Sequence, residues 1–154
     1  MDTIRRDLLK AGGALAVAGA FGVGFFRSGQ ALAARSQAAF QAKSATDAMR
    51  ALGMQDAQES KDIVIRAPDI AENGAVVPIE VSSNVPGTKS IALVIEKNPF
   101  PLATRFDFAE GAVPYVKVNV KMGESSFVRA YAEAGGKHYS ASREIKVTIG
   151  GCGG

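Results

Sequence analysis

The chain has 154 residues, 47% of them hydrophobic and 21% charged, with 18 basic side chains against 15 acidic ones. A single cysteine and a single histidine exclude an internal disulfide and any Cys/His metal cluster of ordinary spacing. No basic block carries interleaved aromatics, which excludes the usual footprint of a nucleic-acid binder.

The opening Met1-Asp2-Thr3-Ile4-Arg5-Arg6-Asp7-Leu8-Leu9-Lys10 sets two arginines ahead of two leucines and a lysine. Residues 11–26 carry no charge, and Ala31-Leu32-Ala33 is a small-residue A-x-A site. A charged start, an apolar middle and A-x-A make a secretory signal peptide. The pair Arg5-Arg6 puts it in the twin-arginine class, although Ile4 and Leu8 stand where serine and phenylalanine are common. The Ala- and Gly-rich run 11–26 is shorter than the ~20 strongly apolar residues a spanning helix needs. The expectation is cleavage at Ala31/Ala33, after Ala33, and a bacterial periplasmic product with no membrane attachment. Residues 1–33 hold four basic residues (Arg5, Arg6, Lys10, Arg27) and two acids (Asp2, Asp7). The remainder keeps 14 basic and 13 acidic side chains, a net of +1, so most of the apparent basicity belongs to the leader.

The 121 residues after position 33 suffice for one core and are too few for two ordinary domains. Residues 34–58 read as a helical lead-in, with Phe40, Met49 and Leu52 among alanines and Gly53 as a C′ stop. The period then changes to two. Val77, Ile79 and Val81 alternate with Pro78, Glu80 and Ser82; Ile91, Leu93 and Ile95 alternate with Ala92, Val94 and Glu96. Val116, Val118, Val120 and Met122 form a third such run, and Ile145, Val147 and Ile149 a fourth. Such alternation predicts strands with one buried face. Asn73-Gly74, Pro86-Gly87, Glu110-Gly111, Gly123 and Gly135-Gly136 punctuate the runs as turns. With 62–67, 102–108 and 126–133 added, about seven strands fill residues 59–149. That spacing predicts an all-β, immunoglobulin-like antiparallel β-sandwich without the intersheet disulfide, with a β-barrel as the other closure. The segments 126–133 and 137–149 are expected to pair through Gly135-Gly136.

The chain closes Ile149-Gly150-Gly151-Cys152-Gly153-Gly154. Four glycines pack no core and lose the most backbone entropy on ordering. Flanking Cys152, they remove every Cβ that could obstruct it. The reading is a flexible arm over 150–154, reaching ~10 Å past Ile149 at ~3.3–3.6 Å per residue. A thiol near its ordinary pKa of ~8.5 is only a few per cent thiolate at neutral pH, and the arm has no Lys, Arg or His to lower it. On an extended strand His138 lies ~46 Å from Cys152 at ~3.3 Å per residue, on the polar parity with Ser140, Ser142 and Glu144. Haem-attachment, phosphate-loop and G-x-S-x-G motifs are absent, so no catalytic, metal or cofactor residues are assigned. Cys152 reads as an acceptor that another protein must activate.

The stretches Phe127-Val128-Arg129-Ala130-Tyr131, Ser142-Arg143-Glu144-Ile145-Lys146-Val147-Thr148 and Gly150-Gly151-Cys152-Gly153-Gly154 resemble the SoxY family. Asn98-Pro99-Phe100-Pro101-Leu102-Ala103, Gly135-Gly136-Lys137 and the twin-arginine leader are similar to it too. SoxY is the sulfur-carrier subunit of the periplasmic Sox thiosulfate-oxidation system. The resemblance spans essentially the whole chain after the leader, and the closing Gly-Gly-Cys-Gly-Gly is its most specific element. It implies a heterodimer with SoxZ and no catalytic activity of the chain's own. It also implies that the cytochrome SoxAX joins thiosulfate to Cys152, that SoxB releases sulfate, and that SoxCD oxidises the remaining sulfane sulfur. Gly150, Gly151, Gly153 and Gly154 would let the arm thread narrow clefts. Phe100, Phe106 and Phe108 are candidates for the SoxZ edge, or equally for ordinary core packing.

Other readings compete on the residues alone. An odd cysteine in an oxidising compartment also suits an immunoglobulin-like structural subunit joined through an intermolecular Cys152 disulfide. Cytosolic thiocarboxylate carriers end in Gly-Gly but lack a leader and an adjacent thiol. A thiol peroxidase or reductase would need an activating neighbour and usually a resolving cysteine.

Overall fold

A computed structural model of the chain describes residues 36–149. The export positions Arg5, Arg6, Ala31 and Ala33 lie outside the described residues, as do Gly150, Gly151, Cys152, Gly153 and Gly154.

The lead-in folds as two short helices, α1 (Gln37–Gln41) and α2 (Ala45–Ala51). Each begins on a serine whose hydroxyl accepts a backbone amide: Ser36 from Ala39 at 3.4 Å and Ser44 from Asp47 at 3.1 Å. These caps satisfy amides that have no partner within the helix. α2 ends where Gly53 takes φ +70°. There the Met54 amide donates to the Met49 carbonyl at 2.8 Å and the Gly53 amide to the Arg50 carbonyl at 3.0 Å. This pair of bonds is the Schellman arrangement. The closure turns Met54 inward, where it is fully buried.

Nine strands follow among the described residues: β1 (Gln58–Glu59), β2 (Ile63–Arg66), β3 (Ile70–Ala71), β4 (Val77–Ser83), β5 (Thr88–Ile95), β6 (Leu102–Asp107), β7 (Tyr115–Val120), β8 (Ser126–Ala134) and β9 (Lys137–Val147). Seven coincide with the alternating or apolar runs. The two-residue β1 and β3 had no periodic signal, since two residues cannot show one. The strands form a β-sandwich. One sheet runs β1–β9–β8–β5–β6 with β3 also on β9, and the other runs β2–β4–β7. Ile79, Val81, Ile91, Leu93, Val128 and Ile145 are among the buried side chains between them. The likeness to an immunoglobulin domain extends to these two facing sheets. β1 and β3 depart from the antiparallel rule by pairing parallel with β9. They cover the outer edge of the longest strand, where unpaired backbone would otherwise be exposed.

The β8–β9 hairpin closes on Gly135-Gly136 with Ala134 opposite Lys137. Both glycines have positive φ, +57° and +72°, the signature of a type I′ turn whose twist matches the strands it joins.

The expectation of one buried face fails at β5. From Ser90 to Ile95 every residue of that strand is buried. Ile91, Leu93 and Ile95 face the opposite sheet, whereas Ala92 and Val94 join Leu102 beneath Ala39, Ala48, Met49 and Met54 of the helical layer. The helix pair thus makes a third layer, and small or β-branched residues under it let short helices sit close to the sheet.

Candidate functional site

The described residues end at Ile149, three positions before Cys152. β8 accompanies β9 only as far as the pair Ser126–Ile145. Beyond that pair, side chains and a loop take over the ladder. The Ser125 hydroxyl accepts from the Val147 amide at 2.8 Å and donates to the Val147 carbonyl at 3.4 Å. On the other side, β3 sets Ile70 and Ala71 against Lys146 and Val147. The Thr148 amide donates to the Ala71 carbonyl at 3.1 Å, and its hydroxyl donates to the Glu72 carbonyl at 2.9 Å. Last, the Gly74 amide donates to the Ile149 carbonyl at 2.8 Å.

The loop that supplies these partners is itself tied down. The Asn73 carboxamide oxygen accepts from the Ala75 amide at 2.8 Å, closing an Asx turn. The Gly74 carbonyl accepts from the amide of buried Met122 at 2.7 Å. Nearby, the Asn98 side chain donates to the Lys121 carbonyl at 2.7 Å and accepts from the Gly123 amide at 3.2 Å. Asn98, in the stretch that resembles the family, therefore braces the turn that carries Ser125. Asn73-Gly74 was legible only as a turn, and Ser125 and Thr148 gave no sequence signal. Side-chain bonds between residues 22 and 76 positions apart leave no local pattern.

Charge around this root is mixed and includes one ion pair. Arg143 reaches the Asp69 carboxylate at 2.7 Å, and the Lys146 amide donates to the Asp69 carbonyl at 2.9 Å. Ile70, Val76 and Ile149 are exposed, at 57%, 59% and 65%. His138 stands opposite Glu133 beside the Gly-Gly turn, at the end of β9 remote from Ile149. The three phenylalanines separate. Phe100 is exposed, with the Lys43 ammonium 3.6 Å from its ring centroid. Phe106 and Phe108 are half-buried against the sandwich core.

On the face under the helices, Arg129 donates to the Glu96 carboxylate, and that bond holds its guanidinium above the ordinary value. Burial pushes the neighbouring Tyr131 hydroxyl upward, so it stays a neutral phenol. Among the described residues no three His, Cys, Asp or Glu side chains are placed to hold a metal ion. No helix among them is long and apolar enough to cross a membrane.

Comparison with known proteins assigns the class first: a small β-sandwich protein of sulfur oxidation. A family model described as "Sulfur oxidation protein SoxY" matches residues 48–152, most of the chain, and this chain belongs to the SoxY family. Among solved structures it is similar to the sulfur carrier protein SoxY from Chlorobium limicola f thiosulfatophilum. The identity is 38%, with 67% of this chain and 96% of that one covered and a TM-score of 0.60. A superoxide reductase (neelaredoxin) from Ignicoccus hospitalis matches at 24% identity over 55% of this chain and 78% of its own, with a TM-score of 0.49. No curated protein matches.

Proposed function

We propose that this chain is a sulfur carrier of thiosulfate oxidation, holding its cargo covalently on Cys152. The observation that carries the reading is the position of the chain's one thiol. It sits among four glycines, three residues past the Ile149 carbonyl that Gly74 holds. Membership of the SoxY family supports the pathway, and the Chlorobium relative is itself a sulfur carrier protein.

In this reading the chain is exported through Arg5-Arg6, cleaved after Ala33 and paired with SoxZ in the periplasm. SoxAX forms an S–S bond between thiosulfate and Cys152. The thiol proton is released and two electrons pass to the cytochrome. SoxB hydrolyses the terminal sulfone as sulfate, and SoxCD oxidises the sulfane sulfur that remains. A covalent tether replaces diffusion of small oxyanions with a high effective concentration at each site. Glycines 150, 151, 153 and 154 give clearance where the thiol enters each cleft.

The test is peptide mass spectrometry of the protein from cells grown on thiosulfate, with and without reductant. Reductant-sensitive thiosulfonate or sulfane adducts on Cys152 are expected. A bare thiol, or only a Cys152–Cys152 disulfide while loading enzymes are present, overturns the carrier reading in favour of the disulfide-linked structural subunit.

A further inference from the structure

The chain holds four asparagines, and Asn73 is the one followed by glycine. In such a pair the glycine nitrogen can approach the asparagine side chain with no Cβ in its way. The structure holds each group that reaction needs. Asn73 is exposed, whereas Gly74 is buried. The Asn73 carboxamide oxygen accepts from the Ala75 amide at 2.8 Å, which ties the carboxamide to the amide one residue beyond the nucleophile. Gly74 is bonded on both sides. Its amide donates to the Ile149 carbonyl at 2.8 Å, and its carbonyl accepts from the Met122 amide at 2.7 Å. The segment after β9 is anchored before it reaches this point: Val147 packs against the core, and the Thr148 amide donates to the Ala71 carbonyl at 3.1 Å. Thr148 and Ile149 are both exposed, so they are the part of the segment that local opening releases first. The nitrogen that would react is therefore the same one that holds their outer end.

We propose that Asn73-Gly74 is a latent deamidation site, kept closed by the Gly74–Ile149 hydrogen bond and opened when Thr148 and Ile149 lift from the turn. Hydroxide removes the Gly74 amide proton, and the nitrogen bonds to Asn73 Cγ. The bond from Cγ to the side-chain nitrogen breaks, and that nitrogen takes up a proton and leaves as ammonia. Water then opens either carbonyl of the five-membered succinimide, giving aspartate or isoaspartate. One water enters, one ammonia leaves, and nothing is oxidised or reduced. While the Gly74 N–H is bonded to Ile149 its proton is held, so the first step waits on local opening. The coupling also runs the other way. Isoaspartate routes the backbone through the former side chain and adds a methylene and a carboxylate to the turn. The Asx turn is lost and Gly74 moves away from Ile149, so a released segment and a modified turn favour each other. The site is a one-way record of how often the segment after β9 has come away, whatever cargo the chain carries.

The test incubates the purified protein in mildly alkaline buffer. Peptide mass spectrometry reads conversion of Asn73, and amide hydrogen exchange reads opening at Gly74. In urea-unfolded protein Asn73 should convert ahead of Asn84 and Asn119, each followed by valine. In the folded protein its conversion should be slower by roughly tenfold or more, with Gly74 protected from exchange. Through a series of sub-denaturing urea concentrations the two rates should rise together. Thr148→Pro removes the amide that bonds Ala71 and the hydroxyl that bonds Glu72. It should speed conversion roughly tenfold or more with an unchanged circular dichroism spectrum. Conversion as fast in the folded parent as in urea overturns the proposal, as does Asn73 converting no faster than Asn84 and Asn119 when unfolded. A conversion rate that stays flat while Gly74 exchange rises, or a parent-like rate in Thr148→Pro, overturns it too. If Thr148→Pro does not fold, the urea series on the parent decides.

Discussion

The Gly74 amide and the Ile149 carbonyl meet at 2.8 Å, joining the turn between β3 and β4 to the last described residue of the chain. The two positions are far apart in sequence, and their bond completes the row begun by Asp69, Ala71 and Glu72.

Replacing Cys152 with serine is expected to abolish covalent sulfur attachment while unfolding free energy stays within about 0.5 kcal/mol of the parent, as for surface substitutions generally. Intact mass after incubation with thiosulfate and loading enzymes, read beside a urea titration, checks both halves. Attachment surviving in Cys152→Ser would place the cargo elsewhere.

Gly151→Leu and Gly153→Leu should leave the unfolding midpoint unchanged and slow sulfur transfer by roughly tenfold or more, because a small misplacement of reacting atoms is costly. Transfer kinetics with each Sox enzyme supply the measurement. Equal rates in parent and variants would reduce the glycines to spacers.

Met54 is fully buried beneath the helix pair, against Ala92, Val94 and Leu102. Met54→Ala should lower stability by about 2–5 kcal/mol through lost transfer energy and a residual cavity. Val113→Ala, at a position 78% exposed, is the control and should change it by less than about 0.5 kcal/mol. A Met54→Ala loss as small as the control's would mean that the helical layer is not part of the cooperative unit.

Gly53→Ala isolates a backbone effect. Gly53 has φ +70° and an added Cβ would meet nothing within 4 Å, so the cost is conformational alone, about 1–2 kcal/mol. Denaturant midpoints measure it; a neutral result would show that α2 can end another way.

Two carboxylates are tuned by local partners. The Ser44 hydroxyl, and after it Arg50, holds Asp47 below its ordinary 3.8. Lys117 holds Glu80 below its ordinary 4.5. Both folded values lie below the unfolded ones. Their stabilisation is therefore complete above about pH 4.5 and is lost as pH falls through the lowered values. Lys117 is raised above 10.5 by Glu80, so its contribution is present below that pH and lost as pH rises through the raised value. Asp47→Asn and Glu80→Gln should each flatten the acid limb of urea midpoint against pH. An unaltered limb in both would assign acid sensitivity to other groups.

Much of this protein was legible in its residues. Period-two alternation at Val77–Ile79–Val81 and Val116–Val118–Val120 specified strands because a pleated strand puts alternate side chains on opposite faces. Gly135-Gly136 specified a hairpin because two successive positive φ values suit glycine. The closing Gly-Gly-Cys-Gly-Gly carries the proposal for Cys152 from the sequence alone. These are local signals, each carried by a few consecutive residues. Only the tertiary structure decided that β5 is buried on both faces, that β1 and β3 run parallel to β9, and that Ser125, Thr148 and Gly74 hold the root of the cysteine segment. The reason is physical: those features depend on hydrogen bonds and burial between residues brought together by folding, and a hydroxyl that meets a backbone group dozens of positions away leaves no periodicity to read.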